Sequence, residues 1–280
     1  MKCAWDQLLA ILPQWMQQDV DRLGRENLQE LRLRNGLSPE LICTHGTAML
    51  TGIVTHSDLA FTINAASRYS PWAAQTMAQG YLTAPGGHRI GICGEAVIKE
   101  GRMTGIRTPG SLCIRVSRDI TGLISSVEEF CGSVLIIGSP GSGKTTLLRD
   151  LIRLRSNQGT GSVGVVDERG EIFPLMAQFV QGLRTDVLSG CSKADGFEIL
   201  LRTMGPQTIA VDEISSHKDC QALIRGAWCG VSLLATAHAS SKNDLLSRQV
   251  YRPLIQERIF DQLIVLQPDK SWRAERMTIG

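Results

Sequence analysis

The spacing of hydrophobic residues changes character near residue 130. From Ser133 onward, short continuous apolar runs alternate with stretches whose apolar residues recur every three to four positions, the pattern of buried strands separated by amphipathic helices. The runs predict strands at 133–138, 162–167, 208–212, 231–236 and 262–267, and the periodic stretches predict helices near 144–157, 194–204, 217–229 and 241–249. Regular alternation of this kind implies a mostly parallel, covered sheet. Earlier in the chain the elements are mixed. An amphipathic helix is predicted over 5–16, a strand over 28–33 ended by the Asn35-Gly36 turn signal, and helices over 58–66 and 72–79. A further strand over 89–98 turns at Glu100-Gly101. The reading is an α/β protein, with a smaller α+β domain over 1–130 followed by a nucleotide-binding α/β domain over 131–280.

Composition narrows the class. At 280 residues with 43% hydrophobic content the chain has ample material for a core. Its net charge is only +2, and the part before Ser133 holds twelve basic and twelve acidic residues against seventeen and fifteen after it. Neither half is a basic platform, so no nucleic-acid partner is expected. The eight cysteines are scattered without a C-x-x-C pair and are expected to be reduced core thiols. Asp6 interrupts the first apolar stretch and no uncharged run approaches a membrane span, which predicts a cytoplasmic protein, with peripheral docking on a membrane complex left open.

The chemistry centres on Gly138-Ser139-Pro140-Gly141-Ser142-Gly143-Lys144-Thr145, which fits the phosphate-loop pattern and sits between a predicted strand and a helix opened by Thr145-Thr146. Glycines let the backbone curl its N–H groups toward phosphate oxygens, and the helix N-terminus adds partial positive charge. Lys144 is placed for the β- and γ-phosphates, and the Thr145 hydroxyl for Mg²⁺. ATP is favoured over GTP because no Asn-Lys-x-Asp motif is present. The predicted strand at 208–212 delivers Asp212 to the metal shell and Glu213 to water activation. Asp167, Glu168 and Glu171, at the end of the strand over 162–167, are rival candidates for the same step, and His238 follows another strand end where it can meet a γ-phosphate. Arg184, Arg89 and Arg115 are candidate phosphate-neutralising guanidiniums.

Together the phosphate loop, Asp167-Glu168-Arg169-Gly170-Glu171, Asp212-Glu213 and Thr236-Ala237-His238-Ala239 resemble the Walker A, Asp box, Walker B and His box of the type II and type IV secretion ATPases. The runs 80–97 and 184–194 are closer still to a sporulation branch of that superfamily. The resemblance implies a RecA-like P-loop domain, and a homo-oligomeric ring, a hexamer, that hydrolyses ATP with Mg²⁺. It further implies that the ring energises an integral-membrane component of a secretion-like complex, the channel between mother cell and forespore. Asp167 falls where the resemblance puts the catalytic glutamate, so the base stays open among Asp167, Glu168, Glu171 and Glu213. Where the superfamily carries an Arg-Gly pair after Walker B, this chain has Ile214-Ser215-Ser216. Two other readings are a nucleotide-gated scaffold with negligible hydrolysis and a nucleic-acid-dependent ATPase.

Overall fold

Pro13 shapes the first element. In the computed structural model, which describes residues 1–67, 77, 80–125, 130–159 and 161–277, the expected helix over 5–16 is two helices, α1 (Trp5–Ala10) and α2 (Gln14–Leu23), with Pro13 capping the second. Proline has no N–H to donate inside a helix, so it is tolerated at a start and divides the segment. The chain continues through β1 (Leu28–Arg34), β2 (Glu40–Cys43), β3 (Gly46–Met49), α3 (His56–Ser67), β4 (Tyr81–Thr83), β5 (Arg89–Lys99) and β6 (Arg102–Arg115). The predicted helix over 72–79 lies outside the described residues, apart from Met77.

These strands form one antiparallel sheet in the order β3-β2-β1-β6-β5-β4. Leu8 of α1, Leu12 of the link, and Met16 and Val20 of α2 share one core with Leu28, Leu31 and Leu33 of β1 and Leu59 and Ile63 of α3. A register shift between Leu28 and Glu30 lets leucines three residues apart face the same core, as a β-bulge does. This first compact unit comprises Met1–Asp119 with the segment Pro174–Phe179; the second comprises Ile120–Phe173 and Val180–Gly280. The second unit begins at Ile120. Its first residues are fixed by the Asp150 carboxylate, which accepts the N–H groups of Gly122, Leu123 and Ile124 at 3.0, 2.6 and 3.0 Å.

The second unit follows the predicted alternation: β7 (Val134–Gly138), α4 (Lys144–Gln158), β8 (Val163–Asp167), β9 (Thr185–Ser189), α5 (Lys193–Thr203), β10 (Thr208–Ile214), α6 (His217–Trp228), β11 (Ser232–His238), α7 (Lys242–Ser247), α8 (Arg252–Gln256), β12 (Gln262–Leu266) and β13 (Trp272–Arg276). The sheet order is β13-β12-β7-β11-β10-β8-β9, parallel except for β13. Every residue of β7 and β8 is buried, as expected of strands covered on both faces. β9 and β13 were not among the predicted strands. β9 is short, partly exposed and lies at an edge, and β13 carries Arg273, Glu275 and Arg276 among its five residues, so neither shows a continuous apolar run.

α4 departs from a simple apolar stripe. Arg149, Asp150, Arg153 and Arg155 are all buried on it. Arg149 donates to the carbonyls of Ile172 and Glu171, and Arg155 donates to those of Phe130 and Gly132. Burial pulls the Arg155 guanidinium down to about 10. These cations are kept because each finds backbone oxygens that would otherwise be stranded. The helix that starts at the phosphate loop thereby anchors the loop after β8. The cysteines correct another expectation: of the eight, Cys220 alone is buried, and Cys93, Cys131 and Cys229 are exposed.

Candidate functional site

Parallel strands place their C-terminal ends along one sheet edge, and here β7, β8, β10 and β11 carry the motif residues to that edge. After Gly138 the loop turns through Gly141 at φ 75° and Gly143 at φ 104°, left-handed conformations that an L side chain rarely adopts. A Cβ on either would meet nothing within 4 Å, so the glycines are required by backbone conformation and leave open space above the loop. Gly143 is the N-cap of α4 and no side chain caps that end. Uncapped amides at a helix start are a ready anion site. The Ser142 hydroxyl is buried and finds no partner among the described residues. A cradle of this kind fits a phosphate.

Lys144 is buried at the first position of α4. Its Nζ donates to the carbonyls of Gly138 and Ser139 at 3.0 and 2.9 Å and to His238 Nδ1 at 3.1 Å. An ammonium has no lone pair to accept with, so Nδ1 accepts and the ring hydrogen sits on Nε2, which lies 3.2 Å from Glu213 Oε1. Glu213, His238 and Lys144 therefore form one hydrogen-bonded chain. Burial draws the Lys144 ammonium below its ordinary value, against the pull of Asp212 and Glu213.

A second chain runs alongside. Thr145 Oγ1 donates to Asp212 Oδ2 at 2.6 Å, and the buried Thr236 hydroxyl donates to Asp212 Oδ1. Thr236 Oγ1 also accepts the Glu213 N–H at 2.7 Å. The predicted strand end at Asp212 is instead a bulge: Val211 pairs with Ala235 and Ile214 with Ala237, three steps on β10 against two on β11. Glu213 absorbs the extra residue at φ 49°, a costly conformation for a non-glycine residue. The Thr145 and Asp212 oxygens suit Mg²⁺, which takes one or two protein ligands and fills its shell with water and phosphate. Among the described residues no group of three or more His, Cys, Asp or Glu side chains is arranged to hold a metal by itself.

The acids after β8 are differently employed. Asp167 accepts the N–H groups of Glu171, Ile172 and Phe173 at 2.8, 3.1 and 2.8 Å, so both its oxygens organise the loop. Burial lifts its carboxyl to about 6, outweighing those amides. Glu168 forms an ion pair with Lys193, and Glu168, Glu171, Asp212 and Glu213 all line one cleft.

Of the three candidate arginines, Arg184 alone belongs to the second unit. Arg184 donates to the carbonyls of Ser156 and Gly159, at the far end of α4 from the phosphate loop. Its guanidinium is consumed by the carbonyls at a helix C-terminus. Arg89 and Arg115 belong to the first unit, directly opposite one another on β5 and β6; Arg89 stacks 4.4 Å over the Tyr81 ring and Arg115 lies 3.6 Å from Glu30. Sequence reasoning gave no role of its own to Thr236, which stands in the run resembling the His box, or to Lys193. A buried threonine in an apolar strand gives no periodic signal, and Lys193 has the composition of an ordinary surface helix start.

The family described as Sporulation stage III, protein AA matches residues 6–275. Stage III sporulation protein AA of Bacillus subtilis (strain 168) is 33% identical over 282 residues, which covers 95% of this chain and 92% of that protein. Among solved structures, the Legionella pneumophila ATPase DotB superposes with a TM-score of 0.60 at 18% identity, over 94% of this chain and 79% of DotB. The pilus retraction motor PilT, solved with bound ADP, gives a TM-score of 0.60 at 17% identity over 89% of this chain and 76% of PilT. At such identities these two establish a shared fold.

Proposed function

The chain belongs to the sporulation stage III protein AA family, and from that premise we propose that it is a Mg²⁺-dependent ATPase acting as a hexameric ring that energises a secretion-like membrane complex during sporulation. The observation that carries this reading is the convergence of two hydrogen-bonded chains, Lys144–His238–Glu213 and Thr145–Asp212–Thr236, beside an uncapped, glycine-shaped phosphate loop. A site that only needed to hold a carboxylate at a strand end has no use for a bulge at Glu213 or for a histidine bridging it to the phosphate-loop lysine.

In this reading the loop amides and Lys144 hold the β- and γ-phosphates, and Thr145 and Asp212 hold Mg²⁺, which when bound neutralises phosphate charge. Glu213 orients the attacking water and receives its proton on the carboxylate. His238 fixes that carboxylate and links it to Lys144, so the water-orienting group and the phosphate-binding group move together. Asp167 holds the β8 loop in shape. Support for ATP comes from the fold shared with the ATPase DotB and with PilT, which was solved with ADP. Arg89 and Arg115 remain the candidates for neutralising phosphate charge. Among the described residues no helix is long and apolar enough to cross a membrane, and the reading assigns the span to a docked integral-membrane partner, with the ring at the cytoplasmic face.

The test is steady-state ATP turnover against protein concentration for the wild type and Lys144→Ala, with mass measured on the same samples. The expected result is a Lys144-dependent rate that climbs as rings assemble. Nucleotide binding without turnover at any assembly state would replace the motor with a nucleotide-gated scaffold, and strong stimulation by single-stranded nucleic acid would point to a translocase.

A further inference from the structure

Lys193 is held in a place that ordinary helix chemistry disfavours. It is the first residue of α5, immediately after the Ser192 N-cap, where the helix dipole opposes a cation. It is also buried, with a side chain 10% exposed. Its ion-pair partner there is Glu168. The cleft around this pair is acidic: Asp167, Glu168, Glu171, Asp212 and Glu213 line it, against Lys193 and Arg169.

A nucleoside triphosphate carries several negative charges, and a cleft with this balance repels it unless individual carboxylates are neutralised or withdrawn. Asp212 is committed to Thr145 and Thr236, Glu213 lies against His238, and Asp167 is engaged by three loop amides. Glu168 is held by a cation of the cleft itself, Lys193. Resting on the nucleotide reading above, we infer that Lys193 is a positioning residue that neutralises Glu168, so that the acidic cleft accepts a Mg²⁺-bound nucleoside triphosphate and Glu168 does not compete for the metal. Lys193 acts through Glu168 and does not itself touch the phosphates.

The inference predicts a specific pattern of coupling. Binding of a fluorescent ATP analogue with Mg²⁺ is titrated on the full chain for the wild type, Lys193→Met, Glu168→Gln, the double variant and Lys193→Arg, with Lys144→Ala as the control for the site. Lys193→Met is expected to weaken binding about tenfold, the scale of one uncompensated charge several ångströms from an anion at a protein surface. Glu168→Gln should bind at least as well as the wild type. The double variant should return to within about twofold of Glu168→Gln, because no charge then needs neutralising. Lys193→Arg should restore binding, and thermal unfolding of each variant separates loss of the site from loss of the fold. A double variant as weak as Lys193→Met, or an unchanged Lys193→Met, overturns the inference while leaving the nucleotide reading intact. Wild-type binding that is absent, or unaffected by Lys144→Ala, overturns the nucleotide reading, and the inference with it.

Discussion

Asp167 separates loop architecture from chemistry at a single residue. Its folded pKa of about 6 stands above the ordinary value of 3.8, so between about pH 4 and pH 6 the folded chain holds a proton that the unfolded chain has released. The sign follows: this group's contribution to stability falls as pH rises through that window and is recovered as pH drops. Wild type should therefore gain about 1 kcal/mol relative to Asp167→Asn on going from pH 7 to pH 5, read as urea unfolding midpoints at the two pH values. Parallel pH slopes for the two proteins would show that the buried carboxyl titrates normally. Sequence alone left Asp167, Glu168 and Glu171 as rivals to Glu213 for water activation, since all are acids at or just after a predicted strand end. What distinguishes them is the partner each finds: three amides for Asp167, a lysine for Glu168 and a histidine for Glu213.

At the scale of elements, the helices and central strands of the second unit were legible because each buries one regular face or a whole run. α6 shows how packing then adds a requirement that periodicity does not state. Gly226 lies inside that helix, where glycine ordinarily costs about 1 kcal/mol against alanine. A Cβ there would stand 2.2 Å from Phe197 Cε1 of α5, and Phe197 is buried with no room to retreat. Gly226→Ala is therefore expected to destabilise the protein by about 1 to 3 kcal/mol in urea unfolding despite its better helix propensity. A stabilised variant would mean that the two helices have room to separate. The bulge at Glu213 belongs to the same scale. Its cause lies in the mismatch between β10 and β11 and in the Thr236 hydroxyl, neither of which leaves a mark on the apolar run 208–211.

At the scale of the whole molecule, two compact units each close their own core, and the proposed nucleotide residues on the motif edge belong to the second. Saturation with Mg²⁺ and ATP at about a hundredfold excess over Kd should stabilise that unit by about 2.7 kcal/mol. Hydrogen exchange should slow around 138–146 and 167–173 and stay unchanged in the β1–β2–β3 part of the first sheet; equal protection of both units would argue against a site confined to the motif edge. The sequence by itself determined the local elements and the phosphate loop, because periodicity, glycine conformation and the Gly-Lys-Thr spacing act within one or two turns of chain. It also ordered the four motifs that carry the family likeness. Tertiary structure alone decided which residues meet: Lys144 with His238 across 94 positions, Thr145 with Asp212 across 67, and Lys193 with Glu168 across 25. Those pairings follow from the order of strands in the sheet, which brings distant strand ends to one edge and gives each polar group there its partner.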